Sequence, residues 1–179
     1  LEDGKVNRAA CDVALGVGIR TVKGDQVGYG FTQDFGEKAM LAAAATAATI
    51  AEAGAAAPAG QFVPLQTGNY YPITTLLSAV PLESKLPVVQ STNDRCFALS
   101  PLVTKVSVMF HDQQKRIMVV TSDGVKAEDL QPRTFLNAGV VAEKNGRRER
   151  SGWNIGGCRE FSFYTPAVVE KIAKTAVER

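Results

Sequence analysis

Residues 133–154, which read RTFLNAGVVAEKNGRRERSGWN, encode a β-hairpin. The first strand is predicted over residues 133–143 and its partner over residues 147–154. Lys144-Asn145-Gly146 stands between them. Asn-Gly is a strong signal for a tight turn, because both residues tolerate a positive φ. The segment therefore predicts two antiparallel strands and a β-rich fold around them.

Two further strands are predicted before this hairpin. Val106, Val108 and Phe110 alternate with Lys105, Ser107 and Met109, which is the period of a strand with one buried face. Residues 111–114 (His-Asp-Gln-Gln) predict a turn, residues 116–121 the return strand, and Asp123-Gly124 another turn. We therefore predict a meander of about four antiparallel strands.

The N-terminal region predicts a second hairpin followed by a helix. Residues 5–22 are predicted to be extended, because apolar side chains recur at every second position from Val13 to Ile19. Residues 23–26 form a turn signal, and residues 27–32 return as a strand. Asp34, with Glu37 three residues later, predicts a helix N-cap. The Ala-rich segment 37–52 predicts the helix itself, which stops at Gly54.

The middle of the chain predicts an irregular crossing, and its end predicts a helix. The prolines over residues 54–87 break regular structure. A short helix at residues 84–98 stays open, with Pro87 counting against it. Thr165-Pro166 opens a final helix, with an apolar stripe at Val168, Val169, Ile172, Ala173 and Ala176. Strands grouped in runs, with helices apart from them, predict an α+β fold.

Composition indicates an ordinary globular protein. The formal net charge of the 179 residues is +2, so the overall charge argues against nucleic acid or a membrane surface as a partner. No apolar run approaches the length of a membrane span. Cys11, Cys96 and Cys158 are widely spaced, which favours three reduced, buried or half-buried thiols and a cytoplasmic location.

The sequence predicts no catalytic residue and no metal ligand in this chain. His111 is the only histidine, and it falls in the predicted polar turn, where an exposed residue is expected. A zinc hydrolase needs two or three converging His or acidic ligands, and a serine or cysteine triad needs a histidine base. Gly16-x-Gly18 lacks the third glycine and the helix of a dinucleotide fingerprint. We therefore expect no cofactor in this chain.

The basic hairpin is the one candidate contact site. Arg147, Arg148, Arg150 and Trp153 lie in or beside its tip. Such residues can contact phosphates and stack a base, or a charged tip can protect a sheet edge from pairing. Because the total charge is small, we interpret the four residues as a peptide or partner contact.

Several short motifs resemble the N-terminal half of the TldD/PmbA family of zinc metalloproteases, also called modulators of DNA gyrase. The matching motifs, in chain order, are Leu1-Glu2-Asp3-Gly4-Lys5-Val6, Gly16-Val17-Gly18-Ile19-Arg20, Gly28-Tyr29-Gly30-Phe31, Thr121-Ser122-Asp123-Gly124, Asn145-Gly146-Arg147-Arg148-Glu149-Arg150 and Gly156-Gly157. The last two motifs are closer to the TldD branch. Residues 54–100 follow the family pattern poorly, and Pro87 falls where the family has a helix.

The resemblance implies a role that the residues alone do not. Residues 1–179 would be a single N-terminal domain, a fragment of a longer protein whose catalytic C-terminal domain is absent from this chain. That missing half would hold zinc through a His-Glu-x-x-x-His motif and cleave small unstructured peptides. The implied partner is a homologous subunit, in a homodimer or a heterodimer. This domain would build the dimer and wall the peptide cleft.

Two other classes of function remain open from the sequence. The chain can belong to a metal-free partner subunit of the PmbA (TldE) type, or act as a peptide-binding module without catalysis. A nucleic acid binder is the third alternative, and it requires salt-dependent binding through Arg147, Arg148 and Arg150.

Overall fold

The computed structural model describes residues 1–52 and 61–178, and the chain divides into two compact units. The smaller unit comprises residues 10–60, and the larger comprises residues 1–9 with residues 61–179. The mixture of helices and antiparallel strands in the chain confirms the predicted α+β class. The prediction that residues 1–179 act as one N-terminal domain concerns the intact protein and stays a prediction.

The smaller unit is a hairpin packed on one helix. Strands β1 (Val17–Lys23) and β2 (Gln26–Thr32) pair antiparallel, and helix α1 spans Glu37–Ile50. A methyl group on Gly28 would overlap the carbonyl oxygen of Ala47, and one on Gly30 would overlap that of Ala43. The two glycines and the alanines of α1 therefore allow the helix backbone to lie directly on the strand.

The hairpin and the Ala-rich helix are confirmed, with corrections at their ends. Strand β1 begins at Val17, so residues 5–16 of the predicted extended segment precede it, and the predicted helix stop at Gly54 lies outside the described residues. Asp34 is not the N-cap. The N-cap is Gly36, and the Asp34 carboxylate instead accepts the Gly36 N–H at 2.7 Å. The carboxylate thus fixes the turn before the helix and does not cap a helical N–H.

The larger unit is built on a four-stranded sheet. Its strands are β3 (Val63–Pro64), β4 (Val103–Val120), β5 (Val125–Lys144) and β6 (Arg147–Gly157). Strand β5 is central: β4 pairs antiparallel along one edge, while β6 (antiparallel) and β3 (parallel) share the other. The 133–154 hairpin is confirmed, with positive φ at Asn145 (53°) and Gly146 (78°).

The predicted turn at residues 111–114 is wrong. Strand β4 runs unbroken through 18 residues and pairs with β5 past this point, for example His111 with Phe135 and Gln113 with Arg133. The polar run fits a strand because the side chains that face the helices find partners. The carboxylate of Asp112 lies 2.6 Å from Lys85 Nζ, and Gln114 Oε1 accepts the Leu77 N–H. The predicted four-stranded meander is therefore three long antiparallel strands with the short parallel β3.

Two helices cover one face of this sheet. Helix α2 spans Leu82–Leu99 and contains Pro87, whereas α3 spans Pro166–Glu178 and begins at its proline as predicted. Pro87 removes one helical hydrogen bond but does not end the helix, because the buried face of α2 packs on the sheet. The fully buried side chains at this interface include Cys96, Val106, Leu136, Ala138, Ile172, Ala173 and Ala176.

Candidate functional site

Two of the arginines at the basic hairpin tip are paired with neighbouring acids. Arg147 Nε lies 2.8 Å from Glu149 Oε1, and Arg148 Nε lies 2.8 Å from Glu143 Oε2. The Glu143 carboxylate raises the pKa of Arg148 through its hydrogen bond. These exposed pairs reduce the positive charge of the tip but do not remove it, because residues 143–150 carry four basic and two acidic side chains.

The structure does not bring the four predicted contact residues into one site. Arg150 pairs across the sheet with Val141, in the same row as Lys105, and these side chains are on the sheet face away from the helices. Trp153 is half-buried on the opposite face, where it packs against the core. The contact role of Arg147, Arg148, Arg150 and Trp153 stays a prediction, but Trp153 does not stack beside the arginines.

Titratable groups do not converge on a metal-binding centre in the part of the chain that the structure describes. Residues 1–52 and 61–178 contain no group of three or more His, Cys, Asp or Glu side chains that could hold a metal ion. His111 is exposed, but it lies within β4 and not in a turn. The zinc that the resemblance implies therefore has no fitting ligand set here.

The three cysteines differ more than predicted. Cys96 is fully buried between helix and sheet, and burial raises the pKa of its thiol to about 11. Cys11 and Cys158 are exposed, so the expectation of three buried or half-buried thiols is wrong for two of them. Position in an irregular segment explains the exposure, because neither cysteine lies on the helix-facing side of a strand.

An open strand edge is the first candidate binding surface. Residues 1–3 bond to the outer edge of β4 at Val106 and Val108, so the main-chain groups of these two residues point outward. The same alternation turns the main chains of Phe110, Asp112, Gln114, Arg116, Met118 and Val120 outward. Within residues 1–52 and 61–178, β5 is the only strand that pairs with β4, and none pairs along this outer edge. No local pattern in the sequence marked the edge, because residues 111–114 predict a turn in the middle of it.

A polar cleft at the end of β6 is the second candidate surface, which we call the β6 cleft. Its volume is about 600 Å³. One wall is Tyr70-Tyr71-Pro72, and the other comes from the end of β6 and the turn after it. That second wall consists of Gly156, Gly157, Cys158, Arg159, Glu160, Ser162 and Phe163. Of the residues that line this cleft, only Gly156 and Gly157 stood out in the sequence, as a family motif.

Comparison with known families identifies the chain. Residues 1–51 match the family described as PmbA/TldA metallopeptidase domain 1, and residues 76–179 match the PmbA/TldA metallopeptidase central domain. The chain belongs to the PmbA/TldD metallopeptidase family. The expected resemblance is thereby confirmed, and the central-domain match includes residues 76–100 of the segment 54–100, whose motifs follow the family pattern poorly.

Two curated relatives of this PmbA/TldD chain are metalloprotease TldD homologues. The one from Haemophilus influenzae is 28% identical over 163 residues, covering 88% of this chain and 33% of the relative. The one from Buchnera aphidicola subsp. Schizaphis graminum is 21% identical over 164 residues, covering 92% of this chain and 34% of the relative. The PmbA/TldD chain thus spans about a third of the length of these relatives.

Solved structures show the same fold as this PmbA/TldD chain. A proposed modulator of a DNA gyrase from Thermotoga maritima aligns with a TM-score of 0.71 at 18% identity, over 99% of this chain and 40% of that one. A similar protein from Bacteroides thetaiotaomicron aligns with a TM-score of 0.70 at 12% identity, over 92% of this chain and 38% of that one. At these identities the likeness concerns the fold.

The helices of the PmbA/TldD chain are short or polar. Among residues 1–52 and 61–178, none is long and apolar enough to cross a membrane.

Proposed function

We propose that this chain is the non-catalytic, N-terminal part of a TldD-type zinc metalloprotease of the cytoplasm. It holds small unstructured peptides and helps to assemble a dimer with a homologous subunit. Family membership and the two relatives named metalloprotease TldD homologues support the peptidase assignment. Zinc and the catalytic groups belong to parts of the protein beyond these residues.

The open edge of β4 carries the proposal. From Phe110 to Val120, alternate residues direct an N–H and a C=O away from β5, and each pair can bond to an added strand. The side chains at Met118, Val119 and Val120 are exposed and apolar, so an added strand also gains apolar contact. Main-chain pairing accepts any extended sequence, and it rejects folded proteins whose own main chains are already paired.

A proline on this edge tests the proposal. In the full protein, Met118→Pro removes one outward N–H and leaves the β4–β5 ladder intact, because that N–H does not face β5. We expect binding of an unstructured 15-residue peptide to weaken by about 3- to 10-fold, as for the loss of one hydrogen bond with some local rearrangement. Fluorescence anisotropy with a labelled peptide measures the change.

The matched control is Met118→Thr, which also removes the methionine side chain but keeps the N–H. It should bind the peptide within about twofold of the parent protein, since only side-chain contact is lost. Circular dichroism confirms that both variants fold. Equal binding by folded Met118→Pro and by the parent protein would mean that peptides do not use this edge.

A metal-free partner subunit is the second candidate. The matching family models cover PmbA and TldD types together, and the described residues supply no metal-binding cluster that would distinguish the two. The sequence after Arg179 separates them: a His-Glu-x-x-x-His motif, with about one zinc per chain by elemental analysis, supports the protease. Absence of both supports the partner subunit, whose task is pairing and peptide positioning.

A further inference from the structure

We propose that the β6 cleft is a carboxylate-binding subsite for peptides and that Arg159 is the residue that binds the carboxylate. The proposal rests on the proposed peptide-binding function and adds a chemical preference to it. The β4 edge can hold any extended chain, whereas this cleft selects chains that carry a carboxylate. The residues concerned are Arg159, Phe163 and the tyrosines of the opposite wall.

The main chain of Arg159 is fixed at both of its polar groups. Strand β6 ends at Gly157, whose φ of 146° requires glycine. The Arg159 N–H donates to the Gly157 carbonyl at 2.9 Å, which closes a tight turn. The Arg159 carbonyl accepts the hydroxyl of Thr134 at 3.2 Å, and Thr134 is fully buried in the sheet. The arginine side chain therefore starts from a rigid position.

The guanidinium group of Arg159 is held by an aromatic ring and not by an acid. Its central carbon lies 5.3 Å from the centroid of the Phe163 ring, a cation–π arrangement. Of the acidic groups in residues 1–52 and 61–178, none lies within ion-pair distance of Arg159, although seven other ion pairs occur there. With the ring as its neighbour and no ion pair, the guanidinium keeps its fork of N–H donors, and that fork matches the geometry of a carboxylate.

The one carboxylate on the cleft wall is already engaged. Glu160 Oε2 accepts the hydroxyl of Thr74 at 3.0 Å and the main-chain N–H groups of Thr74 and Thr75, each at 3.3 Å. These bonds lower the pKa of Glu160, so its carboxylate stays charged and bound to Thr74 and Thr75. Thr74 and Thr75 do not line the cleft. Glu160 therefore anchors the tyrosine-bearing wall and leaves Arg159 without an internal partner.

The opposite wall suits the rest of a peptide. Tyr70 is 76% exposed, and Tyr71 and Pro72 lie beside it. Such exposed rings give apolar contact and a hydroxyl to a neighbouring side chain or main chain. The volume of about 600 Å³ lies within the range of protein sites that bind small ligands. The cleft therefore fits a peptide that places a carboxylate at Arg159 and an apolar group against the tyrosines.

The test compares three versions of one labelled, unstructured peptide with the full protein. The first is neutral, with both ends blocked; the second has one internal Glu in place of Gln; the third has a free C-terminal carboxylate. We expect Arg159→Gln to weaken binding of at least one carboxylate peptide about 10-fold. It should leave the neutral peptide unchanged. The second and third peptides distinguish an acidic side chain from a chain terminus.

Two further variants make the result specific to the guanidinium. Arg159→Lys keeps the charge but loses the fork of N–H donors. We therefore expect it to bind the carboxylate peptide more weakly than the parent does but more tightly than Arg159→Gln does. Arg133→Gln removes an exposed arginine of β5 outside the cleft and should change nothing. An equal loss for all three peptides, or no loss for any, overturns the proposal. Neither result bears on Met118→Pro, so failure here and failure of the β4 edge remain distinguishable.

Discussion

At the scale of single residues, two glycines set the distance between the hairpin and helix α1. Gly28 and Gly30 face Ala47 and Ala43, and there is no room for a side chain at either position. Their presence in a strand costs conformational entropy, which close helix packing offsets. In the sequence, these glycines were recognised only as part of a family motif. The structure explains why glycine is needed at both positions.

A methyl group at Gly28 should destabilise the smaller unit. In Gly28→Ala the new Cβ meets the Ala47 carbonyl, a main-chain atom, so the helix must shift. We expect the free energy of unfolding to fall by about 1–3 kcal/mol, as for other overpacked sites. Urea unfolding followed by circular dichroism measures the loss.

Gly18→Ala is the matched control in the partner strand. There the added methyl meets only the hydroxyl end of the Tyr29 side chain, which can rotate into solvent. The free energy of unfolding should change by no more than about 0.5 kcal/mol. If Gly28→Ala were as well tolerated as Gly18→Ala, α1 would not be fixed against the strand by this contact.

At the scale of elements, an ion pair joins α2 to α3. Arg95 contacts both carboxylate oxygens of Glu170, and Lys174 lies 3.2 Å from the same carboxylate. The hydrogen bond from Arg95 is the largest cause that lowers the pKa of Glu170 from 4.5 to about 2. Because the folded pKa is the lower one, the pair stabilises the protein above pH 4.5, and this contribution is lost as pH falls towards 2.

The variant Arg95→Gln should therefore differ from the parent most at neutral pH. We expect it to melt at a lower temperature at pH 7, and the gap in Tm should close as the pH falls from 4.5 to about 2. Thermal melts at several pH values measure this. Lys171→Gln, an exposed change on α3, should show no such closing gap. A gap that stays constant across this range would mean that Glu170 does not depend on Arg95.

Strand β4 shows where local sequence signals fail. The residues His111-Asp112-Gln113-Gln114 predict a turn by composition, yet each continues the strand. Lys85, which is distant in sequence, forms an ion pair with Asp112, and the equally distant Leu77 N–H donates to Gln114 Oε1. Helix α2 is a second example. Pro87 counts against a helix, yet packing on the sheet keeps the helix continuous through it.

At the scale of the whole molecule, charge argues against nucleic acid as a partner. The net charge is +2, and Arg147 and Arg148 are both paired with glutamates. We expect no binding to a 20-base-pair duplex tighter than about 10⁻⁴ M at physiological salt, the weak limit of non-specific binding. Anisotropy of labelled DNA over a range of salt concentrations measures it.

The triple variant Arg147→Ala, Arg148→Ala and Arg150→Ala tests the remaining alternative. It should bind DNA no differently from the parent, because two of the three charges are already neutralised by glutamates. If the parent protein bound DNA tightly, and if salt and these three changes strongly weakened that binding, the hypothesis of a nucleic acid binder would be supported.

Local patterns along the chain were enough to predict both hairpins, helices α1 and α3, and the family. Alternation and the Asn145-Gly146 turn predicted the hairpins, Pro166 marked the start of α3, and the ordered motifs indicated the PmbA/TldD family. These features depend on neighbours along the chain, which a single sequence displays.

Only the tertiary structure decided which surfaces are available. It separated Trp153 from Arg148 and Arg150 by placing them on opposite faces of the sheet, and it left the β4 edge open. It also placed Tyr70 and Tyr71 across a cleft from Arg159. An open edge or a cleft exists only after distant segments have paired or failed to pair, and no local pattern records that outcome.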